Sequence, residues 1–244
     1  MIEIKNKFHI QRMFASSLQR WDFLKAVDYT CYLGDVSKAP KYYHIENGYS
    51  CKTDLGQSMD DIMASMKSNT RNEIRRAEKE GCEYVTDVSF EEFVPFYNDF
   101  CKSKGFSDLT TIGRLEKYRT TKITKVVHNG MTLSMHAHVV DEEAKLVFLL
   151  FSCSPRLDAG VDKKLIGWAN RYLHYKDMEL FKSMGIQIYE WAGLTLDTND
   201  PRYSIGQYKL SFGGELYSTV ALHTPLYRLL LKLRTLALKI MVRK

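Results

Sequence analysis

Lys122-Ile-Thr-Lys-Val-Val-His128, Asn129-Gly130 and Met131-Thr-Leu-Ser-Met-His-Ala-His-Val-Val140 follow one another without interruption. An Asn-Gly pair between two β-rich runs is the strongest short-range hairpin signal, because a type I′ turn needs positive φ at both central positions. Asp141-Glu-Glu-Ala144 then turns the chain into Lys145–Ser152. The centre of that run is apolar throughout, as in a strand buried on both faces. Three antiparallel strands in sequence are therefore expected. His136 and His138 are two apart and share one face. No third ligand at a recognised metal spacing accompanies them, so a structural or substrate-facing role is expected and no metal.

Upstream, Ser58-Met-Asp-Asp61 has the form of a capping box and opens a helical run that ends at Gly81. Ile62, Met66, Thr70, Ile74 and Ala77 recur at helical spacing and mark its buried face. Arg71, Arg75 and Glu78 lie along another face, which reads as a solvated, ion-paired surface. Cys82–Asp87 reads as a strand. Ser89-Phe-Glu-Glu92 is a second capping box, with a helix to about Lys104 and a shorter one near Thr111–Lys117. Residues 1–57 are aromatic-rich and irregular, with short strands at Ala26–Leu33 and Gly48–Thr53.

Downstream, Ser154-Pro-Arg-Leu-Asp-Ala-Gly160 is a polar loop before a helix from Val161 to about Tyr175. A second helical stretch, Lys176–Met184, ends at Gly185 and precedes a strand, Ile186–Trp191. A helix N-terminus after a buried strand offers free N–H groups and a positive dipole end to a phosphate, and Arg156 adds charge. An ordinary strand-to-helix connection is the alternative. Lys209 lies among aromatics in Tyr203-Ser-Ile-Gly-Gln-Tyr-Lys-Leu-Ser-Phe-Gly-Gly-Glu215, just before a glycine pair. It reads as a grip for an anion or as the end of a helix capped by glycine, leading into a strand at Glu215–Ala221.

The whole describes an α+β chain built on one central mixed sheet. Its 244 residues suffice for one large domain or two small ones. Cys31, Cys51, Cys82, Cys101 and Cys153 are scattered without a Cys-x-x-Cys pair, and read as reduced thiols. No apolar run reaches the length of a transmembrane helix, and Met1–Lys7 lacks the features of a signal peptide. A cytoplasmic location is expected. The net charge of +6 is concentrated at the end, where no acid follows Glu215. Thr224-Pro225 starts a final helix in which Arg228, Lys232, Lys239 and Arg243 share one side and leucines fill most of the rest. Such a helix suits an anionic membrane surface, or docks its apolar side on the domain or on a second subunit as a homodimer. No Walker loop, dinucleotide-binding glycine motif or Ser-His-Asp order is present.

Three ordered segments resemble the Fem-type acyltransferases, a branch of the GNAT superfamily. They are Met66-Lys-Ser-Asn-Thr-Arg71-Asn-Glu-Ile-Arg75-Arg-Ala-Glu-Lys-Glu-Gly81, Ile166-Gly-Trp-Ala-Asn170-Arg171-Tyr-Leu-His174, and Tyr189-Glu190-Trp191-Ala-Gly193 with Ile205-Gly-Gln-Tyr208-Lys209-Leu-Ser-Phe-Gly-Gly214. The resemblance implies a GNAT-like domain over residues 1–221, with 222–244 as the appended amphipathic helix. It implies transfer of an acyl or aminoacyl group to an amine of a nucleotide- or lipid-linked cell-envelope precursor. The donor would be an acyl-CoA such as acetyl-CoA, or else an aminoacyl-tRNA. Lys209 would contact the acceptor's anionic group, with Tyr208, Arg71, Arg75, Trp191 and His136 as further substrate-binding positions. Glu190 is the expected base. The superfamily's pyrophosphate loop would fall at Arg156, Gly160 and Val161, where Arg156 fits the pattern while Ala159 and Val161 depart from it. The protein would then work at the inner face of the cytoplasmic membrane. A non-catalytic, membrane-associated binding module on the same scaffold is the alternative of another class.

Overall fold

The computed structural model describes residues 1–155 and 162–242. The elements are β1 (Ile2–Lys5), β2 (Ile10–Met13), β3 (Val27–Thr30), β4 (His44–Asp54), α1 (Met59–Ser65), α2 (Ser68–Lys79) and β5 (Glu83–Val85). There follow α3 (Phe90–Ser103), α4 (Ile112–Glu116), β6 (Thr121–His128), β7 (Met131–Asp141) and β8 (Leu146–Cys153). The chain closes with α5 (Lys163–Ser183), β9 (Ile188–Glu190), α6 (Tyr203–Leu210), β10 (Glu215–His223) and α7 (Pro225–Val242).

Two compact units divide the chain, one made of residues 1–49 and 218–244, the other of residues 50–217. In the first, the strand order is β1, β2, β3, β10, β4, with β1 antiparallel to β2 and β2 parallel to β3. Its core gathers Ala15, Val27, Tyr29, Tyr32, Tyr43 and Leu222. The strands β1 and β2 lie where the sequence reads as irregular. They are too short for alternation to stand out, and β2 carries Gln11 and the buried Arg12. Arg12 is tolerated inside because it pairs with the buried Asp22 and with Glu3.

In the second unit the order is β4, β9, β8, β7, β6, β5, with β8 and β9 parallel and the meander β6, β7, β8 antiparallel. The sheet is mixed and mostly antiparallel with helices on its faces, as expected. Asn129 and Gly130 both take positive φ in the β6–β7 turn. Helix α5 packs on β6, β7 and α2, while α3 packs on β8 and α4. Ser58 and Ser89 cap α1 and α3, each accepting from the backbone N–H three residues on, as the capping boxes foretell.

Two helix boundaries differ from expectation. The single run to Gly81 breaks at Met66-Lys67, where both residues have extended ψ. The break is held from outside: Lys67 N–H donates to Ser211 O at 2.9 Å and Thr70 Oγ1 donates to Ser211 Oγ at 3.0 Å. The Arg71 guanidinium donates to Ala64 O and Met66 O, satisfying carbonyls that the break frees. Gly213 closes against the same corner. It has φ of 77°, and a Cβ there would come within 2.5 Å of Ser65 O. The glycine reading of that turn therefore holds on both counts: α6 ends there and β10 begins. In contrast, the two helical stretches after the polar loop are one continuous α5. The polar run around His174 and Asp177 suggests a boundary in sequence, yet both side chains are buried and paired inside the unit.

Candidate functional site

A cavity of about 740 Å³ opens in the second unit between α2, α5, α6 and the ends of α3 and β8. Four cations line it: Lys67, Lys104, Arg171 and Lys209. Among the described residues no carboxylate does. Among the described residues this wall thus has a net positive field, which concentrates anions in a confined space.

Lys209 stands in the last turn of α6 and its ammonium donates to Ala192 O and Gly193 O at 3.2 and 3.0 Å. Ala192 carries φ of 64°, a left-handed conformation unusual for a residue with a Cβ. That bend brings two consecutive carbonyls within reach of one ammonium. Burial pushes the Lys209 pKa down to about 8, against the pull of Glu190 and Cys51. Arg171 lies over the Tyr208 ring at 4.8 Å and pairs with Glu73 at 2.9 Å. Its buried Nε has no hydrogen-bond partner among the described residues. Asn69 holds the other side of Glu73 at 2.7 Å.

Behind this wall runs a buried polar chain. Asn170 Nδ2 donates to Tyr208 Oη at 2.7 Å, and its Oδ1 accepts from Ser134 Oγ at 2.6 Å. The same oxygen lies 3.1 Å from His136 Nε2. His136 Nδ1 is 2.6 Å from Asp177 Oδ2, and Asp177 Oδ1 accepts from Thr124 and Tyr84 at 2.7 and 3.0 Å. His138 Nε2 and His174 Nδ1 both meet Tyr189 Oη, at 2.9 and 3.2 Å. All four of His136, His138, His174 and Asp177 are buried. Burial pushes the His138 pKa down to about 4 and that of His174 well below the usual histidine range. Burial would raise that of Asp177, but His138, His136 and the hydrogen bonds from His136 and Thr124 hold it below the usual carboxylate value. Asp177 is the third group beside the two histidines that spacing along the sequence does not reveal. The ligating atoms of His136, His138 and Asp177 lie within 4.8 Å of one another.

The structure brings together only part of the expected set. Lys209 and Tyr208 line the cavity, and His136 stands one hydrogen bond behind it. Glu190 does not line it. That side chain is 1% exposed, and its two oxygens accept from Ser50 and Tyr217. Burial raises its pKa, which the two hydrogen bonds and Lys209 oppose. Trp191 is fully buried in the core against Phe212, its Nε1 donating to Thr53 Oγ1 at 2.9 Å, because β9 turns its large ring inward. Arg71 is used up on the carbonyls of α1, and Arg75 is exposed on α2 away from the cavity wall. Arg156, Gly160 and Val161 lie outside the described residues.

Lys67, Lys104, Asn170 and Arg171 are the wall residues that sequence reasoning left without a role. For Asn170 a signal existed. Asn170, His174 and Asp177 are spaced i, i+4, i+7, a polar stripe on a helix whose buried positions also include Ile166, Leu173, Met178 and Phe181.

No family model and no curated protein matches the chain. Solved structures do. FemX superposes with a TM-score of 0.66 over 85% of this chain and 74% of its own, at 12% identity. The C-terminal domain of a protein described as a lysylphosphatidylglycerol synthetase from Agrobacterium fabrum gives 0.62 over 96% and 84%, at 9% identity. L-PGS from Bacillus licheniformis gives 0.57 over 91% and 79%, also at 9%. The chain thus shares its fold with FemX, in line with the resemblance that the sequence motifs carry.

Proposed function

We propose that the chain is an N-acyltransferase that moves an acyl group from acyl-CoA to an amine on an anionic, nucleotide- or lipid-linked cell-envelope precursor. One observation carries this reading: among the described residues the cavity wall holds Lys67, Lys104, Arg171 and Lys209 and no carboxylate. Such a wall favours a phosphate- or carboxylate-bearing ligand, and the guanidinium and ammonium give it both a planar fork and a point charge. The fold shared with FemX and the lysylphosphatidylglycerol synthetase domain supports group transfer.

The chemistry needs no covalent intermediate. A deprotonated amine attacks the donor carbonyl, the tetrahedral oxyanion forms, and the thiolate or ribose oxygen leaves with a proton. Lys209 holds the acceptor's anion, with Tyr208 and Asn170 completing that wall. Glu190, buried behind Lys209, serves as its counter-charge in this reading, since both its oxygens are already engaged. The loop at 156–161 would receive the pyrophosphate of CoA. A second reading, with aminoacyl-tRNA as donor, is favoured by the likeness to a protein named as a lysylphosphatidylglycerol synthetase.

Helix α7 supports work at a membrane. Leu226, Leu229, Leu233 and Leu236 are exposed, with Arg228 and Lys232 exposed among them. No helix among the described residues is long and apolar enough to cross a bilayer. This pattern suits a helix lying in the interface of an anionic membrane.

Titration of the protein with acetyl-CoA and with inorganic pyrophosphate, in wild type, Lys209→Ala and Arg171→Ala, tests the reading. We expect pyrophosphate to bind and each variant to weaken it about tenfold or more, the scale of one charge-assisted hydrogen bond. No binding of either ligand at millimolar concentration would sink the transferase reading. Pyrophosphate binding without acetyl-CoA binding would move the donor to aminoacyl-tRNA, checked by the ribonuclease sensitivity of transfer.

A further inference from the structure

The first unit exposes large apolar side chains on two elements that touch. Trp21 and Leu24 are 56% and 61% exposed at the two ends of a single 3₁₀ turn, Asp22–Leu24, and the cap before it. Leu229 and Leu233 are 51% and 53% exposed on α7, where Leu226 and Leu236 are exposed as well. The turn packs against α7, and Thr224 fixes their relation. Its Oγ1 donates to Lys25 O at 2.7 Å and accepts from Val27 N–H at 2.9 Å, while its own N–H donates to Val27 O. The same oxygen accepts from Tyr227 N–H in the first turn of α7. Tyr29 and Asp28 of β3 pair antiparallel with Leu222 and His223 of β10. The turn before β3 and the helix after β10 therefore leave the sheet at the same end. Exposed apolar side chains gathered in this way mark an interaction surface.

The exposed charges beside these side chains have one sign. Arg20, Lys25, Arg228, Lys232 and Arg234 are all exposed, and Arg20 lies over the Trp21 ring at 5.1 Å. The one acid in residues 20–25 or in α7 is Asp22, which is buried and paired with Arg12, with Lys25 at 3.9 Å. A second copy docked here about a two-fold axis would set these cations against themselves, with no exposed acid on either element to pair them. An anionic bilayer satisfies both parts of the surface. Its phosphates take the cations, and the boundary of its acyl chains takes the leucines and the indole. Tryptophan suits that boundary, having an apolar ring body and a polar N–H.

We propose that the Trp21–Leu24 turn is a second membrane-inserting element, which with the exposed leucines of α7 forms one docking surface for an anionic lipid bilayer. The proposal rests on the membrane reading of α7 above and adds a second anchor to it. The consequence is orientation. A lone helix in the interface leaves its domain free to roll about the helix axis, whereas two anchors tied together by Thr224 set one face of the first unit against the bilayer.

The test is flotation of the whole chain with vesicles of phosphatidylglycerol and phosphatidylcholine, read together with quenching of tryptophan fluorescence by brominated acyl chains. Wild type should bind, less tightly at high salt, and be partly quenched. Trp21→Phe should bind within about twofold of wild type and lose the quenching. The other two tryptophans are sheltered, Trp191 in the core and Trp168 half-buried under Arg76. Trp21→Ser combined with Leu24→Ser should weaken binding about tenfold or more at unchanged Tm, because both side chains are exposed in the free protein. Quenching that persists in Trp21→Phe would overturn the proposal. So would loss of binding in Leu229→Ser with Leu233→Ser while the turn variant binds like wild type, and α7 would then stand as the sole anchor. No binding of wild type to anionic vesicles would remove the reading of α7 together with this one. A wild-type dimer that the turn variant dissociates, without vesicle binding, would give the surface to a second copy and overturn the proposal.

Discussion

The two faces of β7 differ as much as any two regions of the second unit. Met135 and Ala137 point to the side of α3, where Phe93, Tyr97, Phe151 and Cys153 close a dry cluster. Ser134, His136 and His138 point to the side of α5 and meet Asn170, Asp177 and Tyr189. Both faces are buried. Backbone, strand and neighbours in the sheet are the same, so the difference lies in alternate side chains alone. It follows that one face supplies stability through packing and the other holds the polar chain behind the cavity.

The strongest challenge to that division is Phe93→Ala. Phe93 is fully buried and stacked on Tyr97 and Phe151 at 5.7 and 6.3 Å. Urea unfolding should show a loss of about 3–5 kcal/mol, with pyrophosphate affinity unchanged wherever the variant is folded. A loss of affinity in the folded variant would break the division.

Acid should strike the other face. The folded-state pKa of His138 is about 4, against 6.5 for an unperturbed ring. As pH falls below 6.5 the unfolded chain takes up the proton first, so this stability is present above 6.5 and lost between 6.5 and about 4. The expected loss for this residue is about 3 kcal/mol. Unfolding curves at pH 7 and 4.5 should converge more in His138→Gln than in wild type. An unchanged pH slope would mean the ring is not held neutral.

At the wall itself, pyrophosphate affinity should fall as pH rises through about 8, where Lys209 loses its proton. The loss should approach tenfold by pH 9. Lys209→Arg, measured in parallel so that the ligand's own titration cancels, should remove this extra loss. The smallest effect is expected at Ser89, whose hydroxyl caps α3 on the dry side. Ser89→Ala should cost about 1 kcal/mol of stability and leave binding untouched. A binding effect there would extend the functional face beyond α5.

These two faces were not equally legible beforehand. The alternation in Ser134–Val140 shows that 134, 136 and 138 share a side, and the two capping boxes and Asn129-Gly130 place the neighbouring elements. It does not show which helix covers that side. Lys209 and Tyr208 could be singled out because they stand beside a glycine turn and within a motif. Glu190, Trp191 and Arg71 stand in equally suggestive positions, yet the fold directs them to Tyr217, to Thr53 and to the carbonyls of α1. A side chain's type and spacing state what it can do, while its neighbours in space decide what remains for it to do.

The sequence alone determined the meander, the starts of α1 and α3 and the glycine-closed corner, because turns and caps are settled by groups within about four residues of one another. Only the tertiary structure decided the break at Met66-Lys67, the continuity of α5 and the chain from Asp177 through His136 to Asn170. The partners in that chain are 41 and 34 positions apart. Its charges depend on exclusion of water, which belongs to the assembled core and to no segment of it.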